Sequence, residues 1–180
     1  MMEERLDTSR RAVFMAGVHD GVPIALGYFV VAFTLGILAK TAGLTPWQGF
    51  VTSAVNIASA GEYAGFTVIA AQAPYVEIAL LTLVANARYF LMSAALSQRF
   101  SPETPLLHRL AVSFGVTDEV FGITVARGGT VNPYYNYGAL AISVPAWSAG
   151  TSAGILAGGI LPSAVVSALS VALYGMFVWV

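Results

Sequence analysis

The sequence contains the segment Ser59-Ala60-Gly61-Glu62-Tyr63-Ala64-Gly65, and a later segment, Ser148-Ala149-Gly150-Thr151-Ser152-Ala153-Gly154, matches it at five of seven positions. A second pair lies upstream, Gly17-Val18-His19-Asp20-Gly21-Val22 and Gly115-Val116-Thr117-Asp118-Glu119-Val120, with four of six positions identical. Short matches also arise by chance, because small residues are common in membrane helices. Two pairs in the same order favour a duplication, which is typical of membrane transporters built from two related halves.

The composition is that of a membrane protein. Hydrophobic residues make up 57% of the 180 residues and charged residues only 9%, whereas soluble domains carry about 25% charged residues. A soluble protein of this size could not cover its surface with so few charges, so the chain must face lipid. The net charge of −1 and the lack of a basic patch argue against nucleic-acid binding. The absence of cysteine excludes disulfide and thiolate chemistry.

The start of the chain indicates its location. Residues 1–11 are charged, and the apolar run that follows is long and has no clear cleavage site, so we predict a first span rather than a cleavable signal. Long apolar helices exclude an outer-membrane barrel, whose strands alternate. We therefore expect a multi-pass protein in the lipid bilayer of a prokaryotic cytoplasmic (inner) membrane.

The predicted fold is an all-α polytopic membrane protein, a single transmembrane domain over residues 1–180. A span takes about 20 predominantly apolar residues, and the charges and turn residues give six: Gly17–Leu38, Trp47–Ala70, Tyr75–Leu96, His108–Ala126, Tyr135–Ala157 and Leu161–Trp179. Repeat 1 covers about residues 12–98 and repeat 2 about residues 108–180. Because each copy has three helices, an odd number, the second copy would lie in the membrane inverted relative to the first. Such 3+3 inverted repeats place a substrate site near the midplane of the bilayer, between the halves.

We predict a broken first helix in each half. In the first half, Gly17, Gly21 and Pro23 can unwind the backbone where it lines a cavity. A helix broken beside Asp20 would offer free N–H groups to a substrate carboxylate. The alternative is that the first span begins here without a break and that Asp20 lies in water.

Three further acids are expensive to bury. Glu62 lies well inside the second span, where a carboxylate costs about 2.5–3.5 kcal/mol. We expect Glu62 to face the interior as a proton carrier or as the partner of a substrate ammonium group; the alternative is a hydrogen bond that joins helices. Asp118 and Glu119 point about 100° apart on a helix, so one can bind a ligand while the other caps or forms a salt bridge. In the alternative, Thr117 and Asp118 cap a helix.

Arg88 is the only arginine or lysine in the interior of a predicted span, and Asn86 stands two residues before it. Arg88 can bind an acid such as Glu62 or Asp118, or hold a substrate carboxylate with both ends of its guanidinium; the alternative is a structural ion pair. Because the interior holds more acids than bases, at least one acid must be protonated or balanced by a cation or amine. This balance indicates a proton-linked carrier of a zwitterion or cation.

Four glycines are assigned to the interface between the repeats, Gly61, Gly65, Gly150 and Gly154. Glycine there allows close helix packing or lets the backbone approach a small ligand. The sequence contains no HExxH, GxSxG or CxxC motif and no nucleotide-binding glycine loop. We therefore predict no catalytic residues, no metal site, no cofactor and no enzyme activity. An intramembrane aspartyl hydrolase using Asp20 and Asp118 is a weaker alternative.

The assembled motifs resemble the AzlC family of branched-chain amino-acid exporters. That family has a Gly/Pro-rich first helix, a small-residue segment, an Asn-x-Arg-aromatic motif and a Thr-Asp-Glu motif. The corresponding stretches here are Gly17–Gly27, Ser59–Gly65, Asn86–Tyr89 and Thr117–Glu119. The resemblance implies export of hydrophobic amino acids driven by the membrane gradient, together with a small AzlD-like membrane protein as companion.

The sequence departs from the family pattern in two ways. Glu62 stands where the family often has Gln, and the chain stops inside an apolar run where members usually continue for one or two helices. We expect either a C-terminally short member or a truncated chain. The predicted function is that of a secondary transporter subunit exporting branched-chain or other small hydrophobic amino acids, with proton coupling. The alternative is a non-transporting structural subunit of a membrane complex.

Overall fold

The computed structural model of this chain describes residues 10–72 and 74–161, together with residues 164, 165, 168 and 171. In that part of the chain eight helices follow one another: α1 (Arg10–Thr41), α2 (Pro46–Val55), α3 (Ser59–Ala70), α4 (Tyr75–Ala85), α5 (Arg88–Ser97), α6 (Leu106–Phe114), α7 (Asp118–Ala126) and α8 (Pro133–Ala157). The only β-pairing among these residues is an isolated bridge between Phe100 and Val131. The all-α class is therefore confirmed.

Fewer helices than predicted can cross a membrane unbroken. Among the described helices, α1 and α8 are long and apolar enough, and the α4–α5 pair, bent by 49°, would be a third span if it crosses as one. The predicted spans 47–70 and 108–126 are each two short helices. The predicted sixth span, 161–179, lies almost entirely outside the described residues. The six-span inverted repeat stays a prediction.

The predicted break in the first helix is wrong, because α1 continues through Gly17, Gly21 and Pro23 to Thr41. The two glycines serve close packing instead of unwinding. A Cβ atom on Gly17 would overlap the Tyr135 carbonyl of α8, and one on Gly21 would lie 3.0 Å from the Ala139 Cα. This contact with a neighbouring helix supports α1 where the proline removes a backbone hydrogen bond.

Breaks lie instead inside other predicted spans, among them 47–70 and 108–126. Residues 56–58 separate α2 from α3, and residues 115–117 separate α6 from α7, where a break was predicted for the second half. The side chain of Thr117 accepts a hydrogen bond from the Val120 N–H and caps α7, so this part of the alternative interpretation of Thr117 and Asp118 is correct. Ala58 precedes α3 and provides no side-chain cap.

Two compact units make up the chain. Unit 1 comprises residues 1–25 and 88–143, and unit 2 comprises residues 26–87 and 144–180. Unit 1 has a hydrophobic cluster of buried side chains, Leu96, Phe100, Val112, Val116 and Val131. In unit 2, Gly36 and Gly154 let the second half of α1 pack closely on the second half of α8, since a Cβ atom on either would overlap a backbone carbonyl of the other helix.

Candidate functional site

Glu62 is buried in unit 2 and has hydrogen-bond partners for both carboxyl oxygens. It lies in the first turn of α3 and is only 1% exposed. Trp147 of α8 donates its indole N–H to Glu62 Oε1 at 2.6 Å. Ser53 Oγ lies 3.0 Å from Glu62 Oε2. Ser53 and Trp147 are also buried. Protein atoms therefore surround the hydrogen bonds of the Glu62 carboxyl group.

The break between α2 and α3 brings Ser53 to Glu62. In an uninterrupted helix, nine residues would turn the two side chains to opposite faces, about 180° apart, and separate them by ~13.5 Å along the axis. Ser53 instead lies near the end of α2, and Glu62 near the start of α3, with residues 56–58 outside both helices. The interruption therefore builds the contact.

Thr151 extends the hydrogen bonds around Glu62. Its Oγ1 lies 2.7 Å from Ser53 Oγ and 3.4 Å from the Trp147 carbonyl oxygen, to which it can donate. Ser53, Glu62, Trp147 and Thr151 form what we call the Glu62 network. All four are buried.

The Glu62 network can satisfy either protonation state of the acid. A protonated Glu62 donates to Ser53, Ser53 donates to Thr151, and Thr151 donates to the Trp147 carbonyl. With an ionised Glu62, Ser53 donates to the carboxylate and Thr151 donates to Ser53. Each hydroxyl group has one hydrogen, which can rotate about the C–O bond. Protonation or deprotonation of Glu62 therefore requires only that the hydroxyl hydrogens of Ser53 and Thr151 reorient.

Two other predicted site residues of unit 2, Gly61 and Asn86, lie together near the start of α3. A Cβ atom on Gly61 would lie 2.5 Å from Asn86 Nδ2, so the Asn86 amide packs directly on this glycine. Asn86 Oδ1 is buried and has no hydrogen-bond partner among the described residues. Gly150 packs on α1, with a built Cβ atom 2.6 Å from the Phe29 carbonyl oxygen, whereas nothing lies within 4 Å of a Cβ atom on Gly65. The role of the four glycines at a repeat interface stays a prediction.

In unit 1, Arg88 pairs with Asp118. The Nη2 of Arg88 lies 2.9 Å from Asp118 Oδ2, and the two side chains are 33% and 46% exposed. The Nε of Arg88 is buried and has no hydrogen-bond partner in the described part of the chain. Of the two acids considered for Arg88, Asp118 is therefore the one that binds it. Glu119 follows Asp118 in the first turn of α7 and is exposed.

Asp20 also belongs to unit 1 and lies in the uninterrupted helix α1. Its Oδ2 accepts a hydrogen bond from the Tyr135 hydroxyl at 2.7 Å, and its Oδ1 lies 3.1 Å from His19 Nδ1. The predicted free N–H groups beside Asp20 do not form, because the backbone there is helical on both sides. The two aspartates of the hydrolase alternative are thus held by different partners, Tyr135 and Arg88.

Sequence reasoning missed three members of the Glu62 network, Ser53, Trp147 and Thr151. A usable signal was Trp147, since a tryptophan inside an apolar helix needs an acceptor for its N–H. Thr151 also had a signal, because it occupies the position of Glu62 in the second matching segment. Ser53 gave none, because single hydroxyl residues are ordinary in membrane helices.

Most of the chain matches the model of one protein family. Residues 23–161 match the family model described as AzlC protein, which is well over half of the chain. The chain belongs to the AzlC family. The resemblance in the motifs is thereby confirmed, and the family is one associated with membrane transport rather than a known enzyme family.

Two relatives support this assignment. An "Uncharacterized membrane protein" of Archaeoglobus fulgidus is 30% identical over 171 residues, which cover 94% of this chain and 74% of the relative. The "Inner membrane protein YgaZ" of Escherichia coli K12 is 29% identical over 116 residues, which cover 64% of this chain and 47% of that protein. No solved structure matches the chain significantly. The AzlC chain is therefore a membrane protein, and an inner-membrane location is consistent with its relatives.

Proposed function

We propose that this AzlC family member is a secondary transporter subunit that exports branched-chain or other small hydrophobic amino acids in exchange for protons. The observation that carries the proposal is Glu62, a carboxyl group 1% exposed inside a protein that spans a membrane. Ionisable groups in such positions are costly and are used mostly for ion or proton pathways. Because the hydroxyl groups of the Glu62 network can reorient to suit either protonation state, Glu62 suits a proton carrier.

The Arg88–Asp118 pair supports an amino acid as substrate. A zwitterionic amino acid carries one ammonium and one carboxylate group, the same two charges as this pair. The pair is partly exposed, so a substrate carboxylate can replace Asp118 on Arg88 while the ammonium group binds Asp118. In the proposal, Asn86 contributes a polar amide beside the start of α3. Export direction and branched-chain selectivity follow from the family resemblance, as does the AzlD-like companion.

The proposal is tested by radiolabelled leucine and valine transport in proteoliposomes, with and without an AzlD-like companion. With one proton exchanged per zwitterionic substrate and the membrane potential held at zero, a gradient of two pH units sustains an amino-acid ratio of about 100-fold across the membrane. We expect the wild type to build a substantial ratio and Glu62→Gln to remain near 1. Glu77→Gln is the matched control, because Glu77 is an exposed acid at the start of α4.

Each outcome has a defined meaning. Transport that requires the companion would make the chain one half of a two-part transporter. Amino-acid accumulation that is unchanged in Glu62→Gln would exclude Glu62 as the proton carrier. Absence of amino-acid movement under all conditions would contradict the proposal and favour a structural subunit.

A further inference from the structure

Unit 1 contains a cavity of about 230 Å³ at the junction of α7 and α8. Its lining combines apolar and polar side chains, among them Val13, Thr124, Arg127, Val131, Tyr135 and Asn136. A single water needs only about 10–15 Å³ of such volume. The cavity is therefore large enough for a small organic molecule.

The loop that forms one wall of this cavity is held in place. Gly128 and Gly129 have φ values of +70° and +63°, a left-handed conformation that glycine adopts readily. Arg99 donates from Nη1 to the Val125 carbonyl at 3.2 Å and from Nη2 to the Gly129 carbonyl at 3.0 Å. These bonds fix both sides of the turn.

Asn136 provides a hydrogen-bond acceptor that lacks a donor. The Thr124 hydroxyl donates to the Val120 carbonyl at 2.6 Å, so its oxygen can only accept from Asn136, whose Nδ2 lies 2.8 Å away. This contact fixes the amide orientation and leaves Oδ1 for another group. Asn136 is 0% exposed, and Oδ1 has no hydrogen-bond partner among the described residues. A buried carbonyl oxygen in this state requires an N–H or O–H donor.

The cavity also contains a cation and apolar surface. The guanidinium of Arg127 lies over the Tyr135 ring, 4.5 Å from its centroid, and also interacts with the Tyr135 hydroxyl and the Asp20 carboxylate. Its five N–H donors allow it to bind a second carboxylate while these contacts persist. Val13 and Val131 supply buried aliphatic side chains. One acceptor, one cation and an aliphatic wall match the ammonium, carboxylate and side chain of a hydrophobic amino acid.

We propose that this cavity is a second binding site for a free hydrophobic α-amino acid, separate from Glu62 and from the Arg88–Asp118 pair. The ammonium group donates to Asn136 Oδ1, Arg127 binds the carboxylate, and the aliphatic side chain contacts Val13 and Val131. The choice of an amino acid rests on the proposed transport function.

The test uses the full-length protein in phosphatidylcholine nanodiscs and a leucine analogue with a diazirine in its side chain. After illumination, we expect mass spectrometry to find the label on peptides containing Val13 or Val131, with leucine competing. Labelling confined to other peptides, or no leucine-sensitive labelling, would overturn the proposal. Phosphatidylethanolamine carries the same pair of charges, so labelling that this lipid suppresses and leucine does not would assign the cavity to lipid and also overturn it.

Ligand analogues then identify the roles of the two polar residues. Loss of a hydrogen bond to a charged group weakens binding on the order of 10- to 100-fold. In the wild type, we expect leucine to suppress labelling of the Val13 and Val131 peptides at lower concentrations than 4-methylpentanoate, which lacks the ammonium group, or leucinamide, which lacks the carboxylate. Asn136→Leu should remove the first difference and Arg127→Gln the second, while Arg11→Gln should keep both.

These ratios compare ligands on the same variant, so a partial loss of folded protein cancels. Unchanged ratios in the folded variants would overturn the proposal. Because labelling and binding need no proton gradient, they can succeed even when Glu62→Gln shows that the proposed coupling is wrong. Conversely, proton-driven transport without leucine-sensitive labelling of this cavity would contradict the second site alone.

Discussion

Glu62 and Thr151 occupy the same position, the fourth, in the two matching segments that begin at Ser59 and Ser148. In the folded chain both contact one hydroxyl group, Ser53 Oγ, at 3.0 Å and 2.7 Å. Equivalent positions of related halves meet at a common point when they lie close to a symmetry axis. The duplication itself stays a prediction, because Ser59 begins a helix and Ser148 lies in the middle of one.

Removal of the hydroxyl group that joins these residues should impair proton-coupled transport. We expect Ser53→Ala to reduce gradient-driven leucine uptake more than Thr151→Val, because Ser53 contacts Glu62 directly. The double variant should be no worse than Ser53→Ala, since both changes interrupt the same chain of bonds. Thr34→Val is the control, because the Thr34 hydroxyl donates to the Val30 carbonyl of its own helix, α1. Additive losses in the double variant would mean that the two hydroxyl groups act separately.

Trp147→Phe should destabilise the protein by about 1–3 kcal/mol, because the substitution leaves a buried Glu62 oxygen without its donor. The aromatic contact between Tyr28 and Trp147, at 5.3 Å between ring centroids, should partly survive. The measurement is thermal unfolding in detergent. Trp47→Phe serves as the control, because Trp47 is 72% exposed. Equal melting temperatures for the two variants would contradict a structural role for the indole N–H.

Asp118→Asn should change substrate binding more than stability. A partly exposed ion pair contributes less than about 1 kcal/mol to folding, whereas loss of an ammonium-binding carboxylate should raise the KM for leucine export on the order of tenfold or more. Glu103→Gln is the matched control, since Glu103 is an exposed acid in the loop before α6. A large drop in melting temperature with an unchanged KM would show that Arg88 and Asp118 form only a structural pair.

Gly154→Ala and Gly65→Ala should have opposite effects on stability. The added methyl group on Gly154 would overlap the Phe33 carbonyl of α1, and such overpacking costs about 1–3 kcal/mol. Gly65 has open space around a built Cβ atom, and alanine is favoured over glycine in helices by about 1 kcal/mol. Melting temperatures in detergent should fall for the first variant and stay level or rise for the second. A fall for Gly65→Ala would indicate a close neighbour outside the described residues.

The first helix shows where local sequence reasoning fails. Gly17, Gly21 and Pro23 are ordinary helix breakers, and they predicted an unwound segment beside Asp20. Packing on α8 reverses that prediction, because the glycines permit contacts that a side chain would block. Charge alone predicted that Arg88 could bind an acid such as Glu62 or Asp118, and the identification of Asp118 as its partner required the fold.

The sequence by itself determined that this chain is a helical membrane protein of the AzlC family, because composition, apolar runs and short motifs are properties of neighbouring residues. It also identified Glu62 as an acid that is costly to bury. Only the tertiary structure decided which groups hold that acid. Ser53 reaches it through a helix break, and Trp147 and Thr151 come from a helix far along the chain, 85 residues from Glu62 and 98 residues from Ser53 respectively. Contacts between residues so far apart in the sequence depend on where each helix ends and on which helices pack together. No local sequence pattern encodes either property.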